Sequence, residues 1–134
     1  MLSKFNAGDQ KKFERQVTKD DSAAFDSGTV HPVYATFALT RDAEWSGRLF
    51  VIEMKEDDEE GIGTFVEVKH LSPAFIGNVV EFTATIDELK GNEINCSFIA
   101  RVGKRIIAEG RTGQKILKKD KIEKLFKELR GTDD

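Results

Sequence analysis

Residues 31–54, HPVYATFALTRDAEWSGRLFVIEM, are the stretch of sequence that decides the fold. Proline has no backbone donor and suits an entry turn or a first helical position, so Pro32 predicts a helix that begins near residue 33. From Val33 to Met54 the apolar side chains fall on several sides of a helical projection rather than on one stripe. A helix that is apolar nearly all round is buried by other elements. The stretch therefore predicts one long helix enclosed by a sheet.

The segments on either side of this helix have different patterns. Residues 11–18 alternate polar and apolar side chains, which predicts a first strand with a modest apolar face. Residues 19–32 are rich in Asp, Ser and Gly and predict a loop that leads into the helix. Phe25 and Val30 in that loop are candidates to cover a site, and the alternative is a solvated connector. The acidic residues 55–61 predict a solvated turn, because their carboxylates are not spaced as in a calcium loop.

Four strands with alternating side chains follow. Their predicted inner faces are, in chain order, Ile62, Thr64, Val66, Val68 and His70; Val80, Phe82, Ala84 and Ile86; Ile94, Cys96, Phe98, Ala100 and Val102; and Ile106, Ala108, Gly110 and Thr112. The short connections at Gly91-Asn92 and Gly103-Lys104 predict an antiparallel meander, because parallel strands need long crossovers. Residues 120–130 have apolar side chains at helical spacing and predict an amphipathic closing helix, packed on its own protein.

One strand, a long buried helix and four antiparallel strands are the order expected of a hotdog fold. This is an α+β architecture in which an antiparallel sheet of about five strands wraps around one central helix. We expect a single domain over residues 1–134, with a C-terminal helix. The fold alone leaves the function open.

Composition and charge exclude several classes of partner. A formal net charge of −3 gives no electrostatic case for nucleic acid or an anionic membrane. No apolar run approaches the roughly 20 residues of a membrane span, and the N-terminus lacks the apolar segment of a signal peptide, so we expect a cytoplasmic protein. Cys96 is the single cysteine, which excludes an intrachain disulfide and a multi-cysteine zinc site. We expect no metal and no tightly bound cofactor.

Three polar residues stand out against this apolar background. His70 lies on the apolar face of its strand and is aimed at the helix, where a histidine is usually only a hydrogen-bonded core residue. The helix, however, carries Thr36 at its beginning and Glu44 in its middle. A carboxylate on a buried helix is costly unless it is paired or functional. The structural interpretation of Glu44 is an ion pair with Arg41, three residues earlier on the same face.

The segment 61–77, GIGTFVEVKHLSPAFIG, closely resembles the strand and turn of the fluoroacetyl-CoA thioesterase-like branch of the hotdog thioesterases. That branch carries a Gly-Thr-x-Val-x-Val-x-His-Leu pattern, which the residues from Gly63 to Leu71 match. The helix start 33–44 is also similar, with a threonine followed eight residues later by a glutamate. One departure is Phe37, which stands where the family usually has proline.

The resemblance implies a thioesterase that hydrolyses a small acyl-CoA to free acid and CoA, with CoA bound only as part of the substrate. It implies a homodimer or larger assembly, with sites at the subunit interface. The catalytic candidates are Thr36, Glu44 and His70, and the substrate-binding candidates are Gly63, Thr64, Phe37 and Val30. A non-catalytic protein that binds acyl-CoA or another small ligand is the alternative, slightly favoured by Phe37 and by the pair Arg41-Asp42.

Physical chemistry gives each catalytic candidate a role. Backbone N–H groups at the helix N-terminus can stabilise the oxyanion, and His70 is the natural general base near neutral pH. The Thr36 hydroxyl orients the carbonyl or water, or attacks directly; Glu44 orients His70, activates water or acts as the nucleophile. Eight residues of regular helix span about 12 Å, so Thr36 and Glu44 cannot touch within one straight helix. Either Thr36 precedes the helix, or two subunits contribute to one site.

Overall fold

The structure, a computed structural model, describes residues 1–25 and 28–133, without the side chains of residues 24–30. Its elements are β1 (Gln10–Gln16), a single 3-10 turn (Lys19–Asp21), β2 (Ser22–Phe25), β3 (Gly28–Tyr34), α1 (Thr36–Met54), β4 (Glu59–His70), β5 (Val79–Lys90), β6 (Glu93–Val102), β7 (Arg105–Lys118) and α2 (Lys119–Thr132). This order confirms the predicted α+β architecture, with a long helix, four strands after it and a C-terminal helix, but it places the short strands β2 and β3 between the first strand and the long helix.

Five antiparallel strands form the main sheet, in the order β1-β5-β6-β7-β4. The two-residue turns predicted between β5 and β6 and between β6 and β7 are present, and their first residues, Gly91 and Gly103, have φ values of 60° and 58°. Tight hairpin turns need such left-handed positions, which glycine adopts without a steric penalty. The strand order places β4 at one edge of the sheet and β1 at the other.

Helix α1 lies across one face of this sheet and buries a single stripe. The stripe has the spacing of a helical face and consists of Ala38, Leu39, Asp42, Ala43, Ser46, Gly47, Phe50, Val51 and Met54. Small residues in its middle let the helix approach closely, since a Cβ on Gly47 would collide with the Thr112 side chain. The outer side of α1 is exposed at Phe37, Trp45 and Ile52, so the prediction that the helix is covered on all sides is wrong for a single chain.

The segment before α1 differs from the prediction. The helix begins at Thr36, and Pro32 belongs to β3, which pairs with β2 in a separate two-stranded sheet. The Asp, Ser and Gly content of residues 19–32 predicted a loop. Instead, the backbone groups of β2 and β3 form hydrogen bonds with each other, in a ladder that contains two register shifts. Pro32 is tolerated there because the ladder is short and irregular.

Two bulges change which residues face α1. Within β4 the register shifts between Gly63 and Phe65, so Gly61 and Gly63 face the helix before the bulge, and Val68 and His70 face it afterwards. The predicted inner positions Ile62 and Thr64 are therefore wrong. A second register shift, opposite the Ala100–Arg101 step, leaves Ile106 exposed and buries Ile107 instead. A bulge adds one residue and thereby reverses the alternation beyond it. The predicted inner residues of β5 and β6 are confirmed from Val80 to Ala100.

Helix α2 forms where it was predicted but does not pack as expected. None of its residues from 119 to 132 is buried, and Leu125, Phe126 and Leu129 are 43% to 52% exposed. Within the described part of the chain, no helix is long and apolar enough to cross a membrane.

Candidate functional site

The backbone around Thr36 is fixed at the point where β3 gives way to α1. The Tyr34 N–H donates to the Ala74 carbonyl and the Ala35 N–H donates to the Asp21 carbonyl, both at 2.8 Å. Thr36 is then the first residue of the helix. Among the described residues no side chain caps this terminus, and its first turn contains no acidic residue. The partial positive charge of the helix N-terminus therefore remains available next to the Thr36 hydroxyl.

Thr36 and His70 are brought together as a hydrogen-bonded pair. Thr36 Oγ1 lies 3.0 Å from His70 Nδ1, although 34 positions separate the two residues in the chain. His70 is the last residue of β4, and the bulge earlier in that strand turns its side chain towards α1. A hydroxyl in contact with an imidazole nitrogen is the arrangement in which a histidine accepts the proton of an oxygen nucleophile.

Burial sets the protonation state of His70. It lowers the pKa of the imidazole below its ordinary value of 6.5, and the backbone of Ser72 acts in the opposite direction. The ring is therefore neutral at pH 7. Its Nε2 atom is buried and has no hydrogen-bond partner among residues 1–25 and 28–133. Nδ1 is the nitrogen that faces the threonine hydroxyl, and it is able to act as a base in the tautomer that carries the ring proton on Nε2.

Glu44 lies elsewhere on α1, eight residues beyond Thr36. That spacing corresponds to a rise of about 12 Å along the helix, so one chain does not place its carboxylate on the Thr36–His70 pair. The carboxylate instead packs against β4, where a Cβ built on Gly63 would lie 2.5 Å from Glu44 Oε1. The glutamate is exposed rather than buried, because the outer side of α1 has no covering element.

The ion pair with Arg41, which was the structural alternative to a functional Glu44, is absent from the described contacts. Arg41 instead donates to Asp42 at 3.1 Å and to Asp21 at 3.0 Å. Arg41 is therefore one member of a group that we call the ionic cluster: Arg15, Asp21, Tyr34, Arg41 and Asp42. Sequence reasoning missed this cluster because its members come from four elements. The one available signal was the polar pair Arg41-Asp42 inside an otherwise apolar helix.

The substrate-binding candidates have varied positions. Phe37 follows Thr36 on the first turn of α1 and is 55% exposed, next to the candidate site. Thr64 is the extra residue of the β4 bulge and is exposed. Gly63 faces Glu44 rather than the Thr36–His70 pair. The side chains of Val30 and Phe25 lie outside the described residues, so their proposed covering role stays a prediction.

Two other features of the chain bear on its chemistry. A depression of about 410 Å³ between β1 and the outer side of α1 is lined by Phe13, Glu14, Arg15, Arg41, Asp42, Glu44, Trp45 and Arg48. It includes Glu44 but neither Thr36 nor His70. The thiol of Cys96 lies on the predicted inner face of its strand and is buried, and burial raises its pKa to about 12, so it is an unreactive core residue. No group of three metal-ligating side chains occurs within the described residues.

Comparisons with known proteins agree with this fold. A hypothetical protein of Thermus thermophilus, described as a thioesterase superfamily member, is 35% identical, with 98% of this chain and 97% of that chain covered and a TM-score of 0.90. A hot-dog-like protein from Thermanaerovibrio acidaminovorans is 22% identical over 93% of each chain, with a TM-score of 0.84. The fluoroacetyl-CoA thioesterase FlK is 18% identical over 92% of this chain and 96% of that chain, with a TM-score of 0.83. No curated protein matches the chain.

The fold and these comparisons together define a hotdog-fold protein of the thioesterase superfamily. The family model of the fluoroacetyl-CoA-specific thioesterases matches residues 17–120. The chain belongs to that family.

Proposed function

We propose that this protein is an acyl-CoA thioesterase that hydrolyses a small acyl-CoA to the free acid and CoA. The observation that carries the proposal is the 3.0 Å contact between Thr36 Oγ1 and His70 Nδ1 at the uncapped N-terminus of α1. It joins a base that is neutral at pH 7 to a hydroxyl, beside the dipole that an oxyanion needs. A solved structure of a FlK variant contains fluoroacetate and CoA, which supports a CoA thioester as the class of substrate.

In the proposed reaction, the Thr36 hydroxyl, or a water that it orients, attacks the thioester carbonyl. Its proton passes to His70 Nδ1, and the oxyanion forms next to the N–H groups at the start of α1. The C–S bond then breaks, and the CoA thiolate takes the proton from His70. Attack by Thr36 leaves an ester that a second, water-dependent cycle hydrolyses, whereas attack by water gives the free acid directly. The alternative is attack by the Glu44 carboxylate, which forms an anhydride that water then hydrolyses; the test below separates these routes.

We propose a homodimer in which Glu44 of the partner subunit completes each site. Thr36 is the first residue of α1 and does not precede the helix, which favours two subunits as the source of one site. Support for such a dimer comes from β4, a 12-residue edge strand that pairs only with β7 within the described chain. Long exposed edges are templates for pairing with a second chain. The cytoplasmic location expected from the sequence stays a prediction.

The activity is tested by thiol release from a panel of short, medium and aromatic acyl-CoAs. We expect turnover of a short acyl-CoA by the wild type and a loss of about 10²- to 10⁴-fold in His70→Ala. His31→Ala is the matched control, because His31 is exposed and is the only other histidine. Full activity in both His70→Ala and Glu44→Ala would reject the assignment. Ligand-induced thermal stabilisation without any turnover would indicate a binding protein instead.

The two-subunit site is tested by complementation. Glu44→Gln and His70→Ala chains are each expected to be inactive, and co-expression gives mixed dimers with one intact site. Random pairing of the two chains then predicts about a quarter of the wild-type activity. If Glu44 serves the site of its own chain, every site in the mixture lacks one residue and no activity returns. The nucleophile is identified by mass spectrometry after rapid quenching, as an acyl group on Thr36, an acyl group on Glu44, or neither.

A further inference from the structure

The ionic cluster includes Tyr34 and is hydrogen-bonded to Ala35, the two residues that precede Thr36. The Tyr34 hydroxyl donates to Asp42 Oδ2, and the main-chain carbonyl of Asp21 accepts the Ala35 N–H at 2.8 Å. Tyr34 is therefore held to Asp42 through its side chain, and Ala35 is held to Asp21 through its backbone. Because Thr36 is the next residue, its position against His70 depends on where these two bonds hold the chain.

Asp21 is the point where three elements meet. Its Oδ2 accepts the Thr18 N–H at 2.9 Å and the Thr18 hydroxyl at 3.0 Å. Its Oδ1 accepts Arg15 Nη2 from β1 at 3.2 Å and Arg41 Nη2 from α1 at 3.0 Å. Burial alone would raise the pKa of Asp21, but the hydrogen bonds from Thr18, Arg41 and Arg15 outweigh it and hold the pKa at about 2. The carboxylate is therefore charged throughout the working pH range.

Asp42 contacts the same two arginines and also accepts the hydrogen bond from the Tyr34 hydroxyl. Arg41 Nε donates to its Oδ1 at 3.1 Å, and Arg15 Nε lies 3.5 Å from its Oδ2. Both carboxylates are buried, at 1% and 5% exposure, and two guanidinium groups balance their charge. The cluster thus joins β1, the 3-10 turn, β3 and α1 through directional contacts.

Such a cluster is not an efficient source of stability. Desolvation of buried charges offsets much of their attraction, and well-packed apolar residues often serve a core equally well. What charged hydrogen bonds add is fixed direction, because a guanidinium and a carboxylate bond only in a few arrangements. A reacting group displaced by about 1 Å can lose about 10²-fold in rate.

We propose that Tyr34, Asp21, Arg41 and Asp42 are positioning residues that hold Thr36 in hydrogen-bonding distance of His70. The proposal rests on the proposed thioesterase function. None of the four needs to touch the substrate, because they act through the backbone of residues 34–36 and the first two turns of α1.

Kinetics of two variants give the first test. Tyr34→Phe removes only the phenolic hydroxyl, and Arg41→Met removes one of the two cations that contact both carboxylates. We expect kcat to fall about 10- to 100-fold in each, with KM nearly unchanged, and Arg41→Lys to recover part of the loss. Lys11→Met is the matched control, because the Lys11–Glu53 ion pair also joins β1 to α1 but lies at the far end of the helix. A fall in kcat no larger than that of Lys11→Met would overturn the proposal.

Imidazole NMR gives a test that needs no turnover. The chain has only two histidines, so His31→Ala assigns the ring signals of His70. We expect Tyr34→Phe and Arg41→Met to shift those signals as the Thr36 contact lengthens, and Lys11→Met to leave them in place. Unchanged His70 signals in both cluster variants would refute the positioning role. If the wild type hydrolyses no acyl-CoA, the thioesterase assignment fails, and the NMR result still decides the role of the cluster.

Discussion

At its N-terminal end α1 is held by directional contacts in addition to the apolar packing of Ala38, Leu39 and Ala43, whereas at its C-terminal end apolar packing predominates. The first end carries the Thr36–His70 pair and the ionic cluster. At the second end Phe50, Val51 and Met54 pack in an apolar group with residues of β5, β6 and β7. The Phe5 ring contacts the Phe50 ring edge-on, with 5.1 Å between the ring centroids. Apolar burial stabilises without fixing a direction, while hydrogen bonds and ion pairs fix a direction at a desolvation cost. We therefore expect substitutions at the C-terminal end of α1 to change mainly the free energy of unfolding, and substitutions at the N-terminal end to change mainly the activity.

The largest expected effect is on stability, at the C-terminal end. Phe50→Ala leaves a cavity among fully buried neighbours and is expected to lower the free energy of unfolding by about 3–5 kcal/mol. Urea denaturation measures that loss. The kcat of the molecules that remain folded is expected to stay within about twofold of wild type, since neither Thr36 nor His70 contacts Phe50. A large fall in kcat per folded molecule would mean that the two ends are not separable.

The second effect is on activity, at the N-terminal end. Thr36→Val keeps the shape of the side chain and removes the hydroxyl that faces His70. We expect kcat/KM for a short acyl-CoA to fall by about 10²-fold or more, with the free energy of unfolding changed by less than about 0.5 kcal/mol. Steady-state thiol release and urea denaturation on the same preparation give both values. Retained activity would exclude the hydroxyl from the reaction.

A smaller effect is expected between the two ends, where α1 passes β4. In Gly63→Ala the new Cβ would lie 2.5 Å from Glu44 Oε1, so the carboxylate must move. We expect kcat to fall about tenfold, because the displaced carboxylate no longer has its place in the site. Gly131→Ala is the matched control, since a Cβ there meets nothing within 4 Å. An equal kcat for the two variants would show that the Glu44 carboxylate takes no part in the reaction.

Sequence patterns predicted the C-terminal end of α1 and the strands around it better than the N-terminal end. The alternation in β5 and β6 survives into the structure because each strand there has one buried face and its turns at Gly91 and Gly103 are short. Alternation failed where a bulge adds one residue, at Thr64 and at Ile107, because no residue type marks a bulge reliably.

The candidate site was predictable only in part, for a similar reason. Thr36 and His70 were predicted together from a family resemblance, and the structure brings them into contact. The exposure of Glu44 was not predictable, because a helix projection shows which residues are apolar but not which side a neighbour covers. The ionic cluster joins residues that are 20 positions apart in the case of Asp21 and Arg41, so no local pattern contains it.

The most direct test of the central claim is to measure one pKa in two ways. NMR titration gives the pKa of the His70 ring, and the pH profile of kcat/KM gives the pKa of the group that must be unprotonated in the free enzyme. Burial lowers the pKa of His70 below 6.5, so the neutral base is lost only as the pH falls below that value. We expect both measurements to give the same pKa below 6.5, with activity level above it and falling about tenfold per pH unit in more acidic solution. A kinetic pKa that differs from that of the His70 ring, or activity that does not change as the ring titrates, would contradict the account.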